Sequence, residues 1–138
     1  MVHLKLEGSF EYNLEGCIPN SVKHLTFDEC FNQSIKNCIP DSVVFLEFMM
    51  CFNQNIEGCI PNSVKYLLFG HKFNQKIKNS IPDSVVFLEF GMCFNQNIEG
   101  CIPNSVTHLK IHKRCYNKNK QFISSNINVK VDNKKYLC

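Results

Sequence analysis

A Phe-Asn pair recurs at Phe31, Phe52, Phe73 and Phe94, each time 21 residues after the last. Around each pair lies nearly the same stretch. Its first full form opens as Phe31-Asn32-Gln33-Ser34-Ile35, passes through Ile39-Pro40-Asp41-Ser42-Val43 and closes on Leu46-Glu47-Phe48. A degenerate copy begins at Phe10, and nothing interrupts the spacing until after Ile111. Self-similarity at a fixed period of this length marks a stacked repeat, in which each unit covers its apolar face with its neighbours. At 138 residues the chain is long enough to bury a continuous core that way.

Aligned at this period, the letters fall into columns. Met1 stands where Val22, Val43, Val64, Val85 and Val106 follow, and Leu4 where Leu25, Leu46, Leu67, Leu88 and Leu109 follow. Leu6 precedes Phe27, Phe48, Phe69, Phe90 and Ile111 in the next apolar column. The Leu-x-Phe core alternates apolar with variable residues, as a short strand with one buried face requires. The rest of each unit excludes a long helix, because Pro19, Pro40, Pro61, Pro82 and Pro103 each remove a backbone donor. Each is followed by Asn or Asp and then Ser, which suits a tight turn. Gly16, Asn37, Gly58, Asn79 and Gly100 share one column, and these residues accept positive φ most readily, so the column predicts a left-handed corner. Beside it runs Glu15, Lys36, Glu57, Lys78, Glu99, a column whose sign alternates and is compatible with in-register stacking. The alternation follows a 42-residue double repeat, residues 35–67 and 77–109 being nearly identical. Asn32, Asn53, Asn74 and Asn95, with Asn117 after the insertion, are read as an inward structural column that bonds the next coil's backbone.

The expected fold is therefore mainly β: a leucine-rich-repeat-like solenoid of five to six coils. It carries one parallel sheet with one short strand per 21-residue coil. Residues 1–138 form a single solenoid domain, with regular repeats over 1–115 and an imperfect basic C-terminal cap over 116–138. In that cap Ile127, Val129 and Val131 alternate with polar residues and predict a last strand. Charge is uneven. Residues 1–109 hold seven Lys/Arg against eleven Asp/Glu, a sum of −4, whereas residues 110–138 hold eight against one, a sum of +7.

The signature Phe-Asn-Gln-x-Ile followed by Ile-Pro-x-Ser-Val resembles the FNIP repeat, over residues 10–112 and by extension 1–9. That family occurs mainly in social amoebae and in giant viruses that infect amoebae. The resemblance implies a leucine-rich-repeat-like solenoid used for protein–protein interaction, as a viral or amoebal adaptor. Many viral members carry an F-box ahead of the repeats, implying recruitment of substrates to a host ubiquitin ligase. Here the sequence opens on a strand of the repeat, so no F-box is expected.

In such a coil the residues between the buried Leu and Phe face outward, on the concave side of the sheet. One outward column is His3, His24, Phe45, Tyr66, Phe87, His108; the second is Lys5, Thr26, Glu47, Leu68, Glu89, Lys110; the third is Glu7, Asp28, Met49, Gly70, Gly91, His112. A row of exposed aromatics flanked by two carboxylates and by apolar residues suits a partner protein, since Tyr, Phe and Met bury large area with few rotors to freeze. The candidate partner-binding set is His24, Phe45, Glu47, Tyr66, Leu68, Phe87, Glu89, His108 and Lys110. Stacked aromatics also steady a sheet through cross-strand pairing, and both roles can hold together.

Other chemistries find less support. No order of nucleophile, base and acid and no Gly-rich phosphate loop is present, so no enzyme, cofactor or small-molecule substrate is expected. Nine Cys fall mostly in two columns, Cys17, Cys38, Cys59, Cys101 and Cys30, Cys51, Cys93, Cys115, and a straight column does not converge on a metal. With no export signal and no run of 18 apolar residues, the expectation is a cytoplasmic chain, off the membrane, whose cysteines are buried thiols. The terminal Cys138 is not fourth from the end, so it is no prenylation site. The runner-up to protein binding is nucleic-acid or polyanion binding by the basic end. There Lys110, Lys113, Arg114, Lys118, Lys120, Lys130, Lys134 and Lys135 interleave with Tyr116, Phe122 and Tyr136.

Overall fold

The computed structural model describes residues 2–8, 12–135 and 138. Seven strands form one sheet in chain order: β1 (Val2–Leu6), β2 (Val22–Phe27), β3 (Phe45–Phe48), β4 (Tyr66–Leu68), β5 (Phe87–Glu89), β6 (His108–His112) and β7 (Asn128–Asp132). Every neighbouring pair is parallel. Leu4, Leu25, Leu46, Leu67, Leu88 and Leu109 pair in unbroken sequence, so the 21-residue period is also the register of the sheet. The expected matches of Met1 to the Val column and Phe10 to the Phe column lie outside the described residues.

The core is a double ladder of phenyl rings. Phe27, Phe48, Phe69 and Phe90 stack coil on coil with centroids 5.1, 5.6 and 5.7 Å apart. Phe31, Phe52, Phe73 and Phe94 form a second stack at 6.0, 6.1 and 6.1 Å. Within each coil the two stacks touch, at 4.3 Å in the first and 3.9 Å in the last. Offset parallel rings at these distances contribute about 0.5–1.5 kcal/mol each beyond the area they bury. Ile35, Ile56, Ile77 and Ile98 and the five Val of the column close the remaining sides, all but fully buried.

Two corners bend each coil. At the first, Cys38 N donates to Ile35 O at 3.1 Å across a turn whose third residue, Asn37, has φ +57°. Asn79 has φ +56°, and Gly16, Gly58 and Gly100 lie at +71°, +68° and +66°, so all five members of this column are left-handed. Positive φ at that place is what a type II turn demands. At the second corner each Pro carbonyl accepts from the Val N–H three residues on, at 3.1–3.2 Å.

The asparagine column bridges coils as a ladder. Asn32, Asn53 and Asn74 each accept, through Oδ1, the backbone N–H of the Asn 21 residues later at 2.9 Å. Gln54, Gln75 and Gln96 donate to the same oxygens at 2.9–3.0 Å. The column is exposed at Asn32 and Asn74 and half-exposed at Asn53 and Asn95 rather than inward. It also stops early. Asn117 does not continue it, and Asn95 Oδ1 is buried with no partner among the described residues.

The reason is a helix. Residues Lys113–Asn119 form α1, followed by a 3₁₀ turn at Lys120–Phe122, where the regular repeats were expected to give way to an imperfect cap. His112 caps α1: its Nδ1 accepts Arg114 N–H at 3.2 Å, and its Nε2 pairs with the Lys134 carbonyl at 2.9 Å. His112 is consequently buried and leaves the outward column in which it was placed. Asn119, buried on α1, replaces the missing rung. Its Oδ1 accepts Ile98 N–H at 3.0 Å and its Nδ2 donates to Gln96 O at 2.9 Å. β7 then pairs with β6 as expected of the last strand, with Val129 beside Leu109 and Val131 beside Ile111.

The alternating corner column accords with the in-register pairing of the strands. Among the described residues the ion pairs are Lys5–Glu7, Lys5–Asp28 and Lys110–Glu89, so the column contributes none. Its side chains are exposed, and Glu15 accepts from Asn37 Nδ2 at 3.2 Å. One further expectation needs correction: not all cysteines are buried thiols. Cys93 is disulfide-bonded to Cys138, because the chain after β7 turns back over the strand ends, while Cys17 and Cys30 are exposed.

Candidate functional site

Because side chains alternate across a strand, the residues between the buried Leu and Phe stand on the open face of the sheet. There the expected column exists as a physical row of rings. His3–His24 centroids are 4.2 Å apart and His24–Phe45 5.0 Å. Phe45–Tyr66, Tyr66–Phe87 and Phe87–His108 follow at 6.2, 6.5 and 6.2 Å. Phe45 and Phe87 are half-buried by their neighbours, whereas Tyr66 at the centre is 44% exposed. Burial, then the neighbouring His3, holds the His24 imidazolium below its ordinary pKa of 6.5, so acid works against this end of the row.

The second column is tied sideways. Lys110 Nζ lies 3.1 Å from Glu89 and Thr26 Oγ1 3.5 Å from Glu47, with half-buried Leu68 between the two carboxylates. In the third column the glycines are a packing requirement. A Cβ on Gly70 would collide with the Met49 carbonyl, and one on Gly91 with the Gly70 carbonyl. Gly70 lines a shallow depression of 260 Å³ that also takes in Glu47, Leu68 and Glu89 of the second column. Leu68, Met49 and Met50 give it an apolar wall, and Glu47, Glu89 and His71 give it polar edges. Met50 is 48% exposed. Larger grooves of 490 and 440 Å³ run along the polar corners, but their walls are largely Asn and Gln of the ladder and charged corner residues.

At the basic end, several of the named side chains are engaged within the chain. Tyr116 and Phe122 pack against the core, Lys110 is paired with Glu89, and Lys118 Nζ donates to Asn95 O at 3.1 Å. Tyr136 lies outside the described residues. No helix among the described residues is long and apolar enough to cross a membrane.

The model of the FNIP repeat matches residues 3–50, 52–93 and 94–127. The chain belongs to the FNIP repeat family. No curated protein matches it in sequence. Among solved structures, the FNIP coils resemble the crystal structure of CroV588, a giant-virus protein described as a novel circular LRR protein. Identity is 34% and the TM-score 0.72; the match covers 91% of this chain but 23% of CroV588, so the chain spans less than a quarter of that protein.

Sequence reasoning missed one convergence on the FNIP coils. His71 Nε2 lies 4.0 Å from Cys138 Sγ, beside the Cys93–Cys138 bond. Its only sequence signal is that His71 stands where other coils have Glu29, Met50 and Met92.

Proposed function

We propose that this chain is a protein-interaction module that captures a partner protein on the open face of its sheet, centred on Phe45, Tyr66 and Phe87. One observation carries the reading: an unbroken six-ring row in which Tyr66 is 44% exposed and stands two residues before Leu68, a wall residue of an apolar depression that also holds the carboxylates of Glu29, Glu47 and Glu89. Exposed aromatic and Met surface next to a concavity is the composition of interface anchors. The carboxylates favour a partner that inserts an apolar or basic side chain between Glu47 and Glu89. Solenoids of this kind generally act as binding scaffolds. A role as viral or amoebal adaptor in the cytoplasm accords with the family's sources.

The test compares wild type with Tyr66→Ala and Phe87→Glu in affinity capture from an amoebal lysate, read by mass spectrometry. Both variants are expected to lose the partner while keeping the wild-type circular dichroism spectrum. Capture of the same partner at the same yield by both would refute the face. If the rings serve only to steady the sheet, Tyr66→Ala instead lowers the urea midpoint and leaves capture untouched.

A further inference from the structure

The 21-residue period breaks in one informative place. Where three coils carry Glu29, Met50 and Met92, the fourth carries His71. The Cys93 N–H donates to the His71 carbonyl at 3.0 Å, which fixes these two coils in register. The chain beyond β7 then folds back across them: Lys134 is held at His112, and Cys138 reaches Cys93 with a Cα–Cα distance of 5.5 Å. As a result His71 Nε2 and the sulfurs of Cys93 and Cys138 all lie within 4.8 Å of one another. No second such group of His, Cys, Asp or Glu occurs among the described residues.

We propose that, once the disulfide is reduced, His71, Cys93 and Cys138 form a three-ligand zinc site. Two thiolates and an imidazole are the donors zinc prefers, at about 2.3 Å for sulfur and about 2.0 Å for nitrogen. Tetrahedral angles at those lengths set sulfur–sulfur contacts near 3.8 Å and sulfur–nitrogen contacts near 3.6 Å. The existing 4.0 Å between His71 Nε2 and Cys138 Sγ is close to that. The largest change is that the two bonded sulfurs must separate, while His71 already lies within 4.8 Å of both. Cys138, the exposed member, is free of the core that encloses Cys93, so it makes the move. Mg²⁺ and Ca²⁺ are disfavoured because the group offers no oxygen ligand. Three protein ligands leave the fourth position for water or for a partner's side chain.

The redox step balances as thiol–disulfide exchange. A dithiol supplies two electrons and two protons to the Cys93–Cys138 bond and becomes a disulfide itself, leaving two thiols. Zinc then displaces both thiol protons. Reoxidation by a disulfide donor re-forms the bond and expels the ion, so metal and disulfide exclude each other at this site.

The experiment reduces the full chain anaerobically with a phosphine and removes the excess. It titrates with Co²⁺ as a visible probe, then with Zn²⁺ against a chromophoric chelator. One equivalent is expected, with thiolate-to-cobalt absorption. Cys93→Ser and Cys138→Ser should each lose that equivalent, and His71→Ala should weaken it at least tenfold. Cys59→Ser should retain it, and the oxidised chain should bind none. In the unmutated chain bound zinc should shield Cys93 and Cys138 from alkylation, seen by peptide mass spectrometry, whatever the folding of the variants. The site is overturned if the reduced chain takes up no equivalent. It is equally overturned if the two serine variants bind like wild type or if zinc shields other cysteines instead.

Discussion

At the scale of single residues, identity in sequence hides two kinds of asparagine. Asn74 acts as an acceptor, taking the Asn95 N–H and the Gln96 amide on one oxygen. Asn74→Ala removes that oxygen and orphans a backbone donor, so urea denaturation should show a loss of about 1–3 kcal/mol. Asn74→Asp keeps the oxygen and should lose markedly less. Asn119 both accepts and donates, with its Nδ2 bonded to Gln96 O and Cys115 O at 2.9 and 3.0 Å. There Asn119→Asp puts a buried carboxylate against two carbonyls and should be the costlier change, beyond the roughly 1–3 kcal/mol of a single unsatisfied buried group. A reversal of this order at both sites would sink the assignment of roles. The Asn column was legible in the sequence because it recurs with the period. The role of Asn119 was not, since it reaches its coil by way of a helix.

For the elements, what the letters announced depended on how many neighbours repeated them. Strands β2–β6, both corners and the Phe stacks were readable because each residue type is dictated at several equivalent places at once. The helix α1 was not: its buried stripe is only Cys115 and Asn119, too thin for a 3.6-residue period to stand out. Likewise the ring row was predicted, but the depression lined by Leu68 and Gly70 required knowing how closely the Gly70 backbone approaches that of Met49. Acidity probes the row directly. The folded pKa of His24 lies below 6.5, so the unfolded chain takes up its proton first as pH falls. Stability associated with His24 is therefore complete above pH 6.5 and is lost as pH drops below it toward the folded value. The urea midpoint of wild type should fall between pH 7.5 and pH 5 by more than that of His24→Phe, which substitutes the ring already present at Phe45 and Phe87. Equal falls in both would remove His24 from the account.

On the scale of the whole molecule, one stack of coils carries two distinct surfaces: an aromatic row on the sheet and a sulfur–imidazole cluster at the strand ends. The first follows the period and was foreseen; the second exists because the chain returns across the coils from β7, and no column of letters contains that return. The shared register has a further meaning for how such a chain tolerates loss or gain of length. Each rung is bonded to another of the same pattern 21 residues away, and the pattern itself alternates over 42 residues. Excising residues 44–85 would join Val43 to Val86, restoring the Pro-Asp-Ser-Val-Val-Phe sequence and setting β2 against β5 with leucine still facing leucine. The shortened chain should fold cooperatively with a proportionally smaller denaturant slope, checked by equilibrium unfolding; a molten product would refute it. Unequal crossing-over between the duplicated segments would thus change the reach of this surface in whole steps, without any intermediate that fails to close its core.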